Sequence, residues 1–312
     1  MMADAQMAVF DRRRVRHHRD RAAAGFDGFA FLFDHVADAL KDRLLDVRRD
    51  FRRALDIGSR HGGLGEALTG HRGIETVFQI DLSPKMAGIA AATGRPTVVG
   101  DEEWLPFAPE SMDLAVSALS LHWVNDLPGA LVQINHALKP DGLFMGAMLG
   151  GDTLIELRET ILRTEMDMLG GVSPRLSPLA EIRDAGGLLQ RGGFALPVAD
   201  AETVTVTYQN AFALFRDLRG MGETQAGLHA NAAIPPRTFW PEVARRYTEQ
   251  FAGSDGRIPA TFQILYLTGW APDESQPKPL QPGTASSRLA DALRTTEIPA
   301  GDPLGPRPGM TE

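Results

Sequence analysis

Ala54, Leu55, Asp56 and Ile57 form a short apolar run around one acid, and the chain then breaks at Gly58 and again at Gly62. An apolar strand that runs into a glycine turn is how an open α/β sheet seats a nucleotide-like ligand: glycine turns tightly and lets backbone approach the ligand with no Cβ between them. Two further strand-like runs follow, residues 76–81 ending in Asp81 and residues 96–101 ending in Asp101. Each alone has an ordinary explanation. A glycine turn is often only a turn, Asp81 can serve the helix that starts near Ser83 and Pro84, and Asp101 can be a loop acid. Together, and in this order, they place acids along one edge of a parallel sheet. There Asp81 is suited to ribose hydroxyls and Asp101 to an adenine amine. The turn reads Gly58-x-x-x-Gly62 rather than the G-x-G-x-x-G of nicotinamide enzymes, with Gly63 and Gly65 already in the next helix, so the expected cofactor is S-adenosyl-L-methionine.

Alternation continues beyond the third strand. Strands are expected at 112–118, 143–148, 202–208 and 261–270, and helices at 126–138, 153–169, 181–190, 211–218 and 239–251. The expected class is an α/β, Rossmann-like, seven-stranded sheet. Residues 1–49 are expected to form a helical cap over the cofactor cleft, 50–270 the main domain, 210–253 an inserted helical lid over the substrate, and 271–312 a disordered tail rich in proline, serine, threonine and charge.

Composition narrows the function. The 312 residues carry a net charge of −8, which disfavours nonspecific nucleic-acid binding, and no cysteine, which removes disulfides, thiolate metal sites and cysteine nucleophiles. No apolar run approaches a membrane span and the start lacks the apolar core of a secretory signal, so a cytoplasmic location is expected. The arginine-rich segment 10–21 is interrupted by aspartates, unlike a transit peptide, and its arginines are expected either in solvent or against an acidic partner.

Residues 50–270 resemble the class I methyltransferase superfamily. That resemblance implies cofactor contacts from Asp56, Gly58 and Gly62, from Asp81, and from Asp101 with Glu102 beside adenine. Arg60 stands where many relatives have glycine, and it is expected either to crowd the methionine portion, to turn outward or to meet its carboxylate. Longer stretches around Asp101–Phe107, Ser117–Pro128, Gly146–Arg158, Gly220–Glu223 and Gly256–Ile264, together with the opening Phe10-Asp11-Arg12, are similar to the complex I assembly factor 5 family and its bacterial relatives. This resemblance implies an arginine hydroxylase that acts on a quinone-module subunit of respiratory complex I, with a bacterial protein reaching the inner membrane only through that partner. The biotin-pathway O-methyltransferase of malonyl-carrier protein is a more distant likeness.

For catalysis, His122 follows the fourth strand at the cofactor edge and is the expected base, with a structural or positioning role equally open. Asp152 is read as a helix N-cap or as facing substrate, where it and Glu156 would suit a guanidinium through charge-assisted hydrogen bonds. Glu223 offers a further acid. A non-haem iron site would need two histidines and a carboxylate on one face, and no metal is expected. Trp104 is expected in the core or against adenine. Arginine hydroxylation, arginine methylation, methylation of a small or carrier-bound acid, and a noncatalytic assembly role remain beside one another.

Overall fold

A computed structural model of the chain describes residues 8–228, 234–277 and 289–296. The chain divides into two units, residues 1–274 and 275–312. In the second, the described residues hold one short helix, Leu289–Leu293. The tail expected from residue 271 onward lies largely outside the described residues, as does His229.

The first unit is built on a seven-stranded sheet: β1 (Arg53–Ile57), β2 (Thr76–Asp81), β3 (Thr97–Val99), β4 (Met112–Ala118), β5 (Leu138–Leu149), β6 (Ala195–Tyr208) and β7 (Ile258–Trp270), in the order β3-β2-β1-β4-β5-β7-β6. The strands from β3 to β5 pair in parallel, whereas β7 runs antiparallel to both β5 and β6. This is the expected Rossmann-like methyltransferase arrangement. The order reverses at β1, whose neighbours are β2 and β4, so a crevice opens at their carboxyl ends.

The helices are α1 (Arg12–Ala22), α2 (Phe31–Asp46), α3 (Gly63–Leu68), α4 (Pro84–Ala91), α5 (Leu127–Ala137), α6 (Ile155–Leu169), α7 (Ile182–Arg191), α8 (Ala211–Met221) and α9 (Phe239–Phe251). Several start where their sequence dictates: Asp11, Ser83, Asp126 and Asn210 each accept from backbone N–H groups one turn ahead, and Pro84 sits in the first turn of α4. Asp81 therefore is not the cap of α4; Ser83 is.

Central strands are apolar on both faces because both are covered. Leu114, Val116, Leu143, Met145 and Ala147 face a core shared with α2, α6, α8 and α9. Ala115, Phe144 and Met148 face the opposite core with α5 and α7. β6 begins seven residues before the expected 202, at Ala195, with alternating half-buried positions through Pro197 and Asp200. An edge strand tolerates proline and charge that a central strand does not, and that composition hid its first half.

Candidate functional site

The crevice is built from strand ends. Asp56 is buried on β1, and Gly58 and Gly62 both take left-handed backbone conformations, φ 71° and 89°. A Cβ at Gly58 would collide with the hydroxyl of Ser120, so the close approach that glycine permits is used by a side chain from the end of β4. Asp81 closes β2. Its Oδ1 accepts from the Ser83 N–H at 2.7 Å and its Oδ2 from the Arg60 N–H at 3.0 Å. Asp101 and Glu102 follow β3, Glu102 fully buried. The structure thus gathers all six sequence-predicted cofactor residues at one edge.

Two arginines of α1 reach into this set of acids. Arg19 is wholly buried; its Nη1 donates to Glu102 Oε1 at 2.6 Å and to Asp81 Oδ2 at 3.4 Å, and its Nη2 donates to Ser120 Oγ at 2.8 Å. Arg12, seven residues earlier and so on the same helix face, pairs with Glu102 and with Asp101, and donates to the Trp123 carbonyl at 2.9 Å. Burial pushes the Glu102 carboxyl up, but the facing guanidiniums of Arg19 and Arg12 outweigh it and hold the group well below the usual carboxylate range. At Asp56 the balance is reversed: burial, then the nearby charge of Asp81, outweighs the opposing pull of Gly65, Gln79 and Arg95 and pushes its carboxyl up to about 7.

Arg60 does not turn outward. It is buried with φ 53°, its Nη2 donates to Glu223 Oε1 at 2.6 Å, and its guanidinium carbon lies 5.2 Å from the centre of the Phe33 ring. Burial and the charge of Arg19 lower it to about 10, so it remains cationic at neutral pH. Glu223, at the end of α8, gathers two further donors on Oε2: Trp123 Nε1 at 2.8 Å and His122 Nε2 at 3.0 Å. Burial raises the Glu223 carboxyl, while His122 and Arg60 draw it down to about 2.

Glu223, His122 and Trp123 stand on the wall of a cavity of about 520 Å³. The rest of its lining is overwhelmingly apolar, including Leu119, Leu157, Phe215 and Phe262, with Arg158 and Arg175 among the few charged groups. A concave apolar site with a few convergent polar groups is the usual form of a ligand pocket.

Two expected acceptor residues lie elsewhere. Asp152 is exposed, accepts from Gln263 Nε2 at 2.8 Å and neither caps α6 nor lines the cavity. Glu156 accepts from the N–H and hydroxyl of Thr261, which ties α6 to β7. Both acids make structural contacts outside the cavity lining, and Leu154, in a left-handed conformation, stands at the start of α6. Trp104 is 78% exposed and so does not belong to the core. The residues that sequence reasoning passed over are Arg12, Arg19 and Ser120. The i, i+7 spacing of the two arginines on a helix facing a run of acids was the available signal. Among the described residues no three metal-ligating side chains converge.

The expected cofactor meets a divided site. At one end, both oxygens of Asp56, the Ser59 hydroxyl, Nε and Nη1 of Arg60 and Nδ1 of His61 are buried without a hydrogen-bond partner among the described residues, a set suited to the ammonium and carboxylate of an amino acid. The space at that end, lined by Asp56, Gly58, Ser59, Arg60 and His61, is only about 10 Å³, and at the other end the oxygens of Asp81 and Glu102 are already engaged by Arg19, Arg12 and the N–H groups of Arg60 and Ser83. The chemistry of the first end suits the cofactor, but the whole molecule does not fit this conformation.

Comparisons with known proteins agree with the fold. A family model described as a methyltransferase domain matches residues 55–146. The chain is similar to the arginine-hydroxylase NDUFAF5, mitochondrial, of Danio rerio, 40% identical over 296 residues, or 94% of this chain and 92% of that one. It is 32% identical over 275 residues to the malonyl-acyl-carrier-protein O-methyltransferase of Laribacter hongkongensis, covering 84% of this chain and 90% of that one. Among solved structures, the YcgJ protein of Bacillus subtilis aligns with a TM-score of 0.53 over 76% of this chain and 99% of that one, at 15% identity, a likeness of fold alone.

Proposed function

Given that the chain belongs to the family of the NDUFAF5 arginine hydroxylases, we propose that it is an S-adenosyl-L-methionine-binding enzyme of methyltransferase fold that modifies a protein arginine, by hydroxylation or methylation, in a quinone-module subunit of respiratory complex I. The observation that carries this reading is the Glu223 carboxylate on the cavity wall. It already holds one guanidinium, that of Arg60, which lies over the ring of Phe33. A fixed carboxylate beside an aromatic face is guanidinium-recognising chemistry, and the apolar walls suit the aliphatic stem of an acceptor arginine and its neighbours.

In this reading Glu223 orients the acceptor. His122 Nε2 is engaged by Glu223 while its buried Nδ1 has no partner, which leaves one ring nitrogen to take a proton from a guanidinium being methylated. The crevice in this conformation does not admit the whole cofactor. The cap and lid roles of residues 1–49 and 210–253 belong to the same proposal. So does a place in the bacterial cytoplasm, at the inner membrane only through the partner; no described helix is long and apolar enough to cross a membrane.

A second reading, methylation of a carrier-bound acid, is favoured by Arg158, which lines the same apolar cavity, has no partner for its Nε among the described residues and suits a carboxylate. The test is mass spectrometry of the complex I subunit from cells with and without the gene. A gene-dependent arginine heavier by one oxygen or by one methylene supports the proposal and selects the chemistry. An unmodified subunit with normal assembly defeats it, and an unmodified subunit that fails to assemble without the protein favours a noncatalytic role.

A further inference from the structure

We infer that α1 is a displaceable plug of the crevice: Arg19 and an S-adenosyl ligand compete for the carboxylates of Asp81 and Glu102, so the ligand enters only when α1 withdraws. The inference rests on the reading above that the cofactor belongs at this edge of the sheet.

Three observations support it. The acid at the end of β2, the group that an open α/β sheet offers to ribose, has Oδ1 on the Ser83 N–H and Oδ2 shared between the Arg60 N–H and Arg19. Beside it lie the unpartnered atoms of Asp56, Ser59, Arg60 and His61, buried groups that a zwitterionic ligand would satisfy and that the chain leaves unsatisfied. Finally, α1 is seated by charge more than by apolar contact. It buries Val15, Arg19 and Ala22, and its polar grip includes Arg12 on Asp101 and Glu102, Asp20 on Ser83 Oγ, Arg14 on the Gly227 carbonyl, and His18 and Arg21 on Thr224.

The element has a place to bend. It leads directly into a short 3-10 segment, Ala23–Phe29, kinked at Gly25 with φ −129° and ψ 15°. Both Gly25 and Gly28 have open space where a Cβ would stand and can take up a backbone change, while Ala23 and Phe26 of the same segment stay packed in the core. The far end of α1 is held by a bridge between Phe10 and Gly227, by the Asp11 N–H on the Ala226 carbonyl, by Asn125 Oδ1, which accepts from the Val9 and Phe10 N–H groups, and by the Phe10 ring against Trp123.

The test exploits a chain without cysteine. Asp20→Cys with Ser83→Cys introduces the sole possible disulfide at a contact of 2.5 Å between Asp20 Oδ1 and Ser83 Oγ, pinning α1 to the start of α4. Affinity for S-adenosylhomocysteine is measured on the oxidised and reduced forms of the same protein, and hydrogen exchange of residues 12–22 is followed in the unmodified chain with and without that ligand. The expected result is at least tenfold weaker binding when oxidised, recovery on reduction, and faster exchange of α1 when ligand binds. Equal affinity in the two forms, or α1 amides protected or unchanged by ligand, overturns the plug and leaves the cofactor reading standing. An unmodified chain that binds no S-adenosylhomocysteine at millimolar concentration removes the cofactor reading and the plug with it.

Discussion

Arg19 Nη1 lies 2.6 Å from Glu102 Oε1 with both side chains fully excluded from solvent, so a helix near the amino terminus is tied by a buried charge pair to the loop after β3. Burying two charges costs several kcal/mol, and further contacts offset this: Ser120 Oγ donates to Glu102 at 2.7 Å, and Arg12 adds a second cation, while Arg19 Nε has no hydrogen-bond partner among the described residues.

The first prediction concerns that cluster. Glu102→Gln leaves two guanidiniums facing a neutral amide and is expected to cost about 3–5 kcal/mol, the range for breaking a buried pair. Adding Arg19→Met to Glu102→Gln is expected to recover part of the loss, giving a coupling above roughly 1 kcal/mol in a double-mutant cycle of urea unfolding. Additive losses would show that the two residues do not stabilise one another.

Glu223 sets an acid-side dependence. Its folded value of about 2 is below its ordinary 4.5, so its contribution is fully present above 4.5 and is lost as pH falls toward 2. The size is about 3 kcal/mol by linkage. Glu223→Gln is expected to lower stability at pH 7, to flatten this part of the acid-unfolding profile, and to abolish acceptor modification. Unchanged modification in a folded Gln variant would remove Glu223 from the acceptor site.

Asp56 runs the other way. Its folded value of about 7 is above its ordinary 3.8, so the stability associated with it is intact below 3.8 and is lost as pH rises through 7. Asp56→Asn stays neutral throughout, and its stability advantage over the parent is expected to grow by about 3 kcal/mol between pH 5 and pH 8. Denaturant midpoints at the two pH values measure this, and a constant difference would mean that Asp56 is charged at both.

Glu156 and Asp152 separate structure from chemistry. Glu156→Ala orphans the Thr261 N–H and hydroxyl and is expected to cost about 1–2 kcal/mol with acceptor turnover retained at low temperature. Asp152→Ala, at an exposed site, is expected to change stability by less than about 0.5 kcal/mol and turnover not at all. A turnover loss of a hundredfold in either folded variant would restore it to the acceptor site.

Local rules in the sequence determined the sheet. Apolar runs ending in Asp56, Asp81 and Asp101 marked three strands, glycines at 58 and 62 marked the left-handed turn, and Ser83-Pro84 and Asp126 marked helix starts, because strand burial, positive φ and capping each depend on residues close in sequence. Only the tertiary structure decided what the acids hold. Arg19 meets Asp81 across 62 residues and Glu102 across 83, and Arg60 meets Glu223 across 163. Such pairings depend on how helices lie over the sheet edge, and every acid near the crevice offers the same chemistry to several arginines. The same holds for Asp152 and Glu156, whose partners Gln263 and Thr261 lie 111 and 105 residues away on β7, a pairing that nothing in their own spacing records.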